Sequence, residues 1–218
     1  VGTLLAQSFD PEILEQVGCG MAADMQAMRI DLLLGPGMNI QRDPMCGRNF
    51  EYFSEDPLIS GKMASAMVRG LQSLPGGGGC IKHYAANNQE TNRNAVDSVI
   101  GQRALREIYL EPYKIAIQES QPLSIMSSYN LINGVPTADS YDLCTDLARG
   151  EWGFEGLIMT DWNGGVSHPS TSMHAGNDLI MPGGASKANE IITGAEDVKP
   201  TFEANGQIGL KDELMYMF

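Results

Sequence analysis

Cysteine is scarce in this sequence and is not arranged to build a site. The four cysteines, Cys19, Cys46, Cys80 and Cys144, are widely spaced and include no Cys-x-x-Cys pair. Zinc sites and small disulfide scaffolds depend on such local spacing, so neither is predicted. We interpret each cysteine as a small buried apolar residue, which favours a reducing compartment or a fold that needs no disulfides.

Positive charge is also in short supply. The 14 Lys and Arg residues are outnumbered by 27 Asp and Glu residues, which gives a net charge of −13 and a pI near 4.5. This balance argues against nucleic acid or an anionic membrane surface as a partner. A neutral carbohydrate meets no such objection. Because no apolar run approaches the roughly 20 residues that span a bilayer, no membrane partner is predicted either.

Motifs for cofactors are missing as well. The glycine run at 76–79 precedes a predicted strand and lacks the Gly-Lys-Ser/Thr of a phosphate-binding loop, so we interpret it as a linker. His168 and His174 are not at the i, i+4 spacing of a helical metal pair. The sequence therefore predicts no metal and no organic cofactor.

What the sequence does contain is a regular alternation of strands and helices. Asp10-Pro11 and Asp56-Pro57 each predict a helix start, with a capping aspartate before a proline whose missing N–H costs nothing. Pro112 is expected to kink or restart a helix. Further helices are predicted at 141–149 and 210–218. Short apolar runs predict strands at 30–34, 80–84, 123–129, 157–159 and 178–181.

This order predicts an α/β fold with a parallel sheet, and the long polar loops after the strands favour a (β/α)8 TIM barrel. Five strands cannot close an eight-stranded barrel, so we expect a barrel that is incomplete at its N-terminal end. The length and the 43% hydrophobic content fit one catalytic domain over residues 1–218.

Polar groups follow each predicted strand at the edge where a barrel carries its chemistry. Sugar recognition needs hydrogen-bonding side chains together with an aromatic face for the C–H side of the ring. The candidates supply both and comprise Arg48 with Glu51 and Glu55, Lys82 with His83, the segment 87–93, Tyr129, and Asp161 with Trp162.

Several collinear segments then identify a family. The segments 34–44, 47–57, 81–93, 127–136 and 159–162 resemble the N-terminal domain of glycoside hydrolase family 3. The resemblance runs in family order from about residue 4 to residue 183 and is greatest to the bacterial and fungal β-glucosidase branch. The branch that cleaves N-acetylglucosaminides carries a different loop around its histidine, which this sequence lacks.

The resemblance implies a retaining hydrolysis of β-glucosides. Asp161 matches the nucleophile that forms a covalent glycosyl-enzyme, and Arg48 and Lys82 are expected to lower its pKa. The other implied site residues bind substrate: Arg48, Lys82 and His83 hold the sugar in subsite −1, Tyr129 and Met126 lie beside the nucleophile, and Trp162 helps form the +1 side.

Two departures from the family pattern stand out. Members begin earlier, with a strand whose Asp-Gly motif binds the outer sugar hydroxyls, and their acid/base is usually a Glu on a second, α/β-sandwich domain. We therefore expect a fragment that lacks both. Glu90 lies in the right loop to be a substitute acid, but only its position in the sequence supports that role, and the bland alternative is a hydrogen bond that orders its loop. A homo-oligomer and either a cytoplasmic or a secreted location remain open.

Other interpretations assign different roles to the same residues. Asp161 could cap the next helix while Trp162 packs under a loop, and Lys82 with His83 could be a structural pair. A barrel aldolase would use Lys82 as a Schiff-base amine. The chain could also be a non-catalytic or inactive sugar-binding fragment, or a module that merely assembles.

Overall fold

The computed structural model describes residues 1–191 as helices packed against one face of a parallel sheet. The predicted helix at 210–218 lies outside the described residues. In chain order the helices are α1 (Gly2–Ala6), α2 (Pro11–Met28), α3 (Pro57–Leu71), α4 (Gln102–Ala104), α5 (Glu111–Ser120) and α6 (Pro169–Ala175), with π-helical turns at Leu105–Tyr109 and Asp142–Glu151. The strands are β1 (Leu32–Leu33), β2 (Gly78–Tyr84), β3 (Asp97–Ser98), β4 (Ser124–Ser127), β5 (Leu131–Ile132), β6 (Val135–Pro136) and β7 (Leu157–Met159).

The main sheet has the order β1-β2-β4-β7, with every neighbouring pair parallel. A parallel bridge between Met159 and Leu179 adds the fifth predicted segment beside β7. Strands that follow one another in this order are thus adjacent in the sheet, as in a barrel wall. The predicted α/β fold of the partial TIM-barrel type is confirmed.

The first strand is shorter than the run 30–34 predicted. Regular pairing stops at Leu33, since the segment then passes through Gly35 and Pro36, which has no N–H for the ladder. Pairing resumes where Gly37 bridges Lys82. The polar loop therefore leaves the sheet directly beside the end of β2.

The two faces of the sheet bury different clusters. Ile81, Ile125 and Ile158 point toward the helices and belong to the large core. The opposite face carries a smaller cluster built on Cys80, Met126 and Met159, which corresponds to the inside of a barrel. Alternation along each strand produces this division.

The predicted helix starts are observed. Asp10 Oδ1 accepts a hydrogen bond from Glu12 N at 2.9 Å, and Asp56 Oδ1 accepts from Leu58 N and Ile59 N. Pro112 lies in the first turn of α5, where it restarts a helix after the preceding π-helical turn. Local capping chemistry was therefore enough to locate these boundaries.

The expectation that all four cysteines are buried is wrong for Cys19. Cys46, Cys80 and Cys144 are buried, but Cys19 is exposed because it lies on the outer side of α2, next to a glycine that faces α3. All four are free thiols. Within residues 1–191, no group of three or more His, Cys, Asp or Glu side chains could hold a metal ion. None of the described helices is long and apolar enough to cross a membrane.

Two glycines allow α2 and α3 to pack at very short range. A Cβ atom on Gly70 would lie 2.2 Å from Glu15 O, and one on Gly18 would lie 2.6 Å from Met67 O. Both obstacles are backbone atoms, which cannot rotate away. The helix pair therefore depends on the absence of side chains at this crossing.

Gly70→Ala is expected to lower the free energy of unfolding by about 1–3 kcal/mol, because the new methyl group forces the two backbones apart. Gly20 is the matched control, since it lies on an exposed part of α2 and a Cβ atom added to it would have no neighbouring atom within 4 Å. Gly20→Ala should instead stabilise the fold by about 0.5–1 kcal/mol. Urea unfolding of both variants tests this pair, and equal midpoints would contradict it.

Candidate active site

Asp161 lies at the carboxyl end of β7, where the chain leaves the sheet. Thr160 N donates to Leu179 O, and Thr160 Oγ1 accepts from Met181 N, so the neighbouring segment holds this strand end in place. Asp161 then begins a short 3-10 turn over Trp162–Gly164, and its Oδ1 accepts a hydrogen bond from Trp162 N at 2.7 Å. The capping interaction of the rival interpretation is therefore present, but it uses one oxygen only.

The second oxygen of Asp161 is the unusual one. Oδ2 is buried and has no hydrogen-bond partner among the described residues. His83 Nε2 lies 3.9 Å away, and the Tyr129 hydroxyl approaches closely enough to lower the pKa of the carboxyl. Because a buried carboxylate oxygen is costly to leave unpaired, this atom is a candidate for contact with a ligand.

The pKa of Asp161 is raised, chiefly because burial disfavours the charged form. The Trp162 N–H, the Tyr129 hydroxyl and the charges of Arg48 and Arg93 act in the opposite direction. The expectation that cations would set a lowered pKa is therefore wrong in its net direction, since burial outweighs them.

Arg48 and Lys82 meet on a shared carboxylate. Glu51 Oε1 binds the Nε of Arg48 at 2.5 Å, while Glu51 Oε2 lies 3.7 Å from the Nζ of Lys82. Arg48 thus orders its own loop through Glu51. Its remaining guanidinium donors are left for other partners. A Schiff-base amine must react in its uncharged form, and the Glu51 carboxylate beside Lys82 Nζ counts against the aldolase interpretation.

His83 is held by its backbone and its ring. His83 O accepts from Asn39 Nδ2 at 2.8 Å and from the Tyr113 hydroxyl at 2.7 Å. On the ring, Nδ1 lies 3.1 Å from Asn39 Oδ1 and 3.4 Å from the Tyr52 hydroxyl. Its Nε2 is left facing Asp161. The structural and site roles of His83 therefore use different atoms.

A third cation near Asp161 is Arg93, which lies in the candidate segment 87–93 but for which no sugar-binding role was predicted. The guanidinium of Arg93 lies 5.0 Å from the centre of the Tyr129 ring and is ion-paired with Glu90 at 2.9 Å. Glu90 also accepts from Asn87 Nδ2 at 3.4 Å. These contacts fit the loop-ordering interpretation of Glu90. Arg93 was a candidate because it lies in the polar loop after β2, at the same sheet edge as Asp161.

The remaining candidates differ in their exposure and in their place in the sheet. Tyr129 is 8% exposed, whereas Trp162 is 44% exposed at the rim. Met126 of β4 pairs with Met159 of β7, and Met159 lies two residues before Asp161. Both methionines belong to the inner cluster. In the same cluster, burial raises the pKa of the Cys80 thiol to about 12, and the thiol also senses the charges of Lys82 and Asp161. The inner cluster therefore forms the floor of the site.

Comparison with known proteins decides the family. Residues 2–192 match the family described as the Glycosyl hydrolase family 3 N terminal domain. The chain belongs to glycoside hydrolase family 3. The resemblance seen in the sequence is thereby confirmed, and it covers nearly the whole described part of the chain.

Relatives of this family 3 chain carry more than one activity name. This chain is 44% identical over 211 residues to a beta-glucosidase of Ruminococcus albus, and the match covers 92% of this chain and 22% of that protein. It is 48% identical over 179 residues to an exo-alpha-(1->6)-L-arabinopyranosidase of Bifidobacterium longum, covering 82% and 23%. The solved structure of beta-glucosidase 3B from Thermotoga neapolitana in complex with glucose matches with a TM-score of 0.85 at 46% identity, covering 98% and 30%.

The chain thus spans less than a quarter of the length of these two relatives. Their remaining length implies domains in addition to the one matched by this family 3 chain. What the whole proteins do therefore reaches this chain only as a proposal.

Proposed function

We propose that the chain is the catalytic barrel domain of a retaining glycoside hydrolase that cleaves terminal β-D-glucosyl residues, with Asp161 as nucleophile. The observation that carries the proposal is the arrangement of the Asp161 carboxylate. One oxygen is fixed by the Trp162 N–H, and the other is buried, unpartnered among the described residues and turned toward His83 Nε2. A nucleophile needs one anchored and one available oxygen, so this geometry supports the role.

The proposed reaction has two displacement steps at the anomeric carbon. Asp161 Oδ2 donates an electron pair to that carbon while the bond to the leaving-group oxygen breaks, which gives a covalent glycosyl-enzyme. The leaving oxygen takes a proton from an acid. Water then attacks the same carbon and gives up a proton to the conjugate base of that acid, while the bond to Asp161 breaks and releases the sugar and the carboxylate. Two inversions retain the configuration.

The cations around Asp161 are proposed to hold the sugar hydroxyls in subsite −1. Arg48 and Lys82 are oriented by Glu51, and Arg93 is oriented by Glu90 and the Tyr129 ring. Cationic donors and a neutral imidazole supply the directional hydrogen bonds that a polyhydroxylated ring needs.

The apolar groups are proposed to shape the pocket. Tyr129 lies beside the nucleophile, and Met126 belongs to the floor. Trp162, being partly exposed at the rim, is proposed to contact the leaving group on the +1 side. Aromatic faces commonly pack on the C–H side of a sugar, which supports this assignment.

The acid/base is proposed to come from outside the barrel, on a second α/β-sandwich domain, as the family resemblance implies. Retaining chemistry needs a second carboxyl group about 5–5.5 Å from the nucleophile. Glu90 is engaged by Arg93 and Asn87, which leaves it poorly suited to donate a proton. The alternative function is sugar binding without turnover, in which Asp161 attacks no substrate.

An activated 2-deoxy-2-fluoro-β-glucoside separates these functions, because a dinitrophenolate leaving group departs without an acid. We expect intact-mass analysis of the chain to show one covalent fluoroglucosyl adduct, mapped to Asp161 by peptide analysis. The fluoro analogue of an α-L-arabinopyranoside, run in parallel, tests whether the pocket prefers glucose. Glucose binding without any adduct would favour the sugar-binding alternative, and an adduct on another residue would refute the nucleophile.

The pH dependence of this labelling should report the pKa of Asp161. Labelling requires the ionised carboxylate, so the rate should fall on the acid side at a pH above the ordinary carboxyl range, because burial raises this pKa. Arg93→Gln removes a positive charge that lowers the pKa, and the acid limb should therefore move to still higher pH.

Arg103→Gln is the matched control for this measurement. Arg103 is 88% exposed and pairs with Glu107 on the surface of a helix. Its loss should leave the acid limb unmoved, since an exposed charge is screened by solvent. A limb at the same pH in all three proteins would contradict the assigned role of Arg93.

A further inference from the structure

Beside the end of β2, the side-chain amide of Asn39 makes the hydrogen bonds that the backbone of a neighbouring strand would otherwise make. Met38 N donates to Lys82 O at 2.8 Å, which is the last backbone bond between the two segments. One residue further on, Asn39 Nδ2 donates to His83 O and Asn39 Oδ1 accepts from His83 N, both at 2.8 Å. A flipped amide would set donor against donor and acceptor against acceptor, so the orientation of Asn39 is fixed.

The fixed amide determines which ring nitrogen of His83 carries the hydrogen. Asn39 Oδ1 lies 3.1 Å from His83 Nδ1, and an amide oxygen can only accept. Nδ1 must therefore donate. Burial and the charges of Arg48, Lys82 and Arg93 lower the pKa of His83 well below its usual value, so the ring is neutral and has one N–H. The Nε2 atom then carries a lone pair and no hydrogen, so it can only accept a hydrogen bond.

Tyr52 is the competing partner of the same nitrogen. Its hydroxyl lies 3.4 Å from His83 Nδ1 and could donate to it in the opposite tautomer. That tautomer would place the Nδ1 lone pair against Asn39 Oδ1 at 3.1 Å, which is repulsive. The shorter contact with the fixed amide therefore decides the tautomer.

We propose that Asn39 is a positioning residue that holds His83 in the Nδ1–H tautomer, so that Nε2 accepts a hydrogen bond from a sugar hydroxyl. The second half of this inference rests on the proposed function. Arg48, Lys82 and Arg93 can only donate, and His83 thus supplies an acceptor among donors. No N–H of His83 points at Asp161 Oδ2, 3.9 Å away, which leaves that oxygen free for the anomeric carbon.

Long-range ¹H–¹⁵N spectra of the full chain labelled at histidine test the tautomer without any sugar. The chain has three histidines, so His83→Gln assigns the signal. We expect Nδ1 protonated and Nε2 unprotonated at neutral pH. An Nε2–H signature for His83 would overturn the proposal.

Variants of the two partners attribute the tautomer to its cause. Asn39→Ala removes the accepting oxygen beside Nδ1 and should shift the ring toward Nε2–H. Tyr52→Phe should leave the tautomer unchanged. A shift in Tyr52→Phe would overturn the role of Asn39, and this arm does not depend on whether Asn39→Ala folds.

Glucose analogues test the acceptor role by titration calorimetry. At the hydroxyl that faces Nε2, the deoxy and deoxyfluoro analogues should both bind about tenfold more weakly than glucose, because fluorine cannot donate a hydrogen. If glucose binds and fluorine restores affinity at every position, the acceptor role is overturned. If glucose does not bind, the proposed function fails, while the tautomer is still decided by the spectra.

Discussion

Asp161→Asn will abolish glycosyl transfer to the protein while leaving the fold intact. The amide keeps an oxygen that can accept from Trp162 N, but it supplies no anion to attack the anomeric carbon. Loss of a nucleophile typically lowers turnover by about 10⁴-fold or more. The measurement is the rate of dinitrophenolate release from an aryl β-glucoside, together with the absence of a fluoroglucosyl adduct.

The same substitution should make the chain more stable at neutral pH. A carboxyl with a raised pKa binds its proton more tightly in the folded than in the unfolded chain, so its contribution favours folding at low pH. That contribution is lost as pH rises through the folded pKa. The uncharged asparagine avoids this loss, and the melting temperature of the variant should exceed that of the wild type above this pH only.

Asp139→Asn is the matched control for the loss of glycosyl transfer. Asp139 is a partly buried carboxyl of raised pKa, but it accepts from His168 N and Ser172 Oγ at the start of α6. Its replacement should leave labelling of Asp161 unchanged. Normal hydrolysis by Asp161→Asn, or equal loss in both variants, would refute the assignment of Asp161.

Much of the fold was readable from local sequence because its boundaries depend on short-range chemistry. Asp10 and Asp56 cap helices by contacts within three residues, and the strands around Ile125 and Ile158 are short, largely buried apolar runs. Such signals are contained in a single window. The shortened β1 was not readable, since its pairing depends on where Gly37 meets Lys82 in space.

Only part of the site could be predicted from the sequence, because part of it depends on contacts between distant segments. Strand ends in a parallel sheet share one edge, which was enough to group Arg48, His83 and Asp161. The contacts of Glu51 with Lys82 and of the Asn39 amide with His83 are long-range contacts between segments that lie far apart in the sequence. The raised pKa of Asp161 depends on burial, which no motif encodes.

Those long-range contacts make Glu51 the second residue whose loss should be severe. Its two oxygens bind Arg48 in the same loop and Lys82 near the end of β2, so one carboxylate sets the relative position of two proposed sugar donors. Glu51→Ala releases both cations. Misplacement of binding groups by about 1 Å can cost about 10²-fold in rate, and we expect a loss of that size or greater in the rate of labelling.

A comparison of variants should show that Glu51 acts by positioning Arg48 and Lys82. Glu51→Gln keeps an oxygen for Arg48 Nε and loses the charge that attracts Lys82, so it should be intermediate. Glu55→Gln, an exposed carboxyl in the same loop, should behave as wild type. Because Glu51 orients groups that grip the sugar in the transition state, both kcat and KM should change, whereas the pH of the acid limb set by Asp161 should stay nearly constant. A Glu51→Ala variant that labels at the wild-type rate would show that Arg48 and Lys82 hold their positions without it.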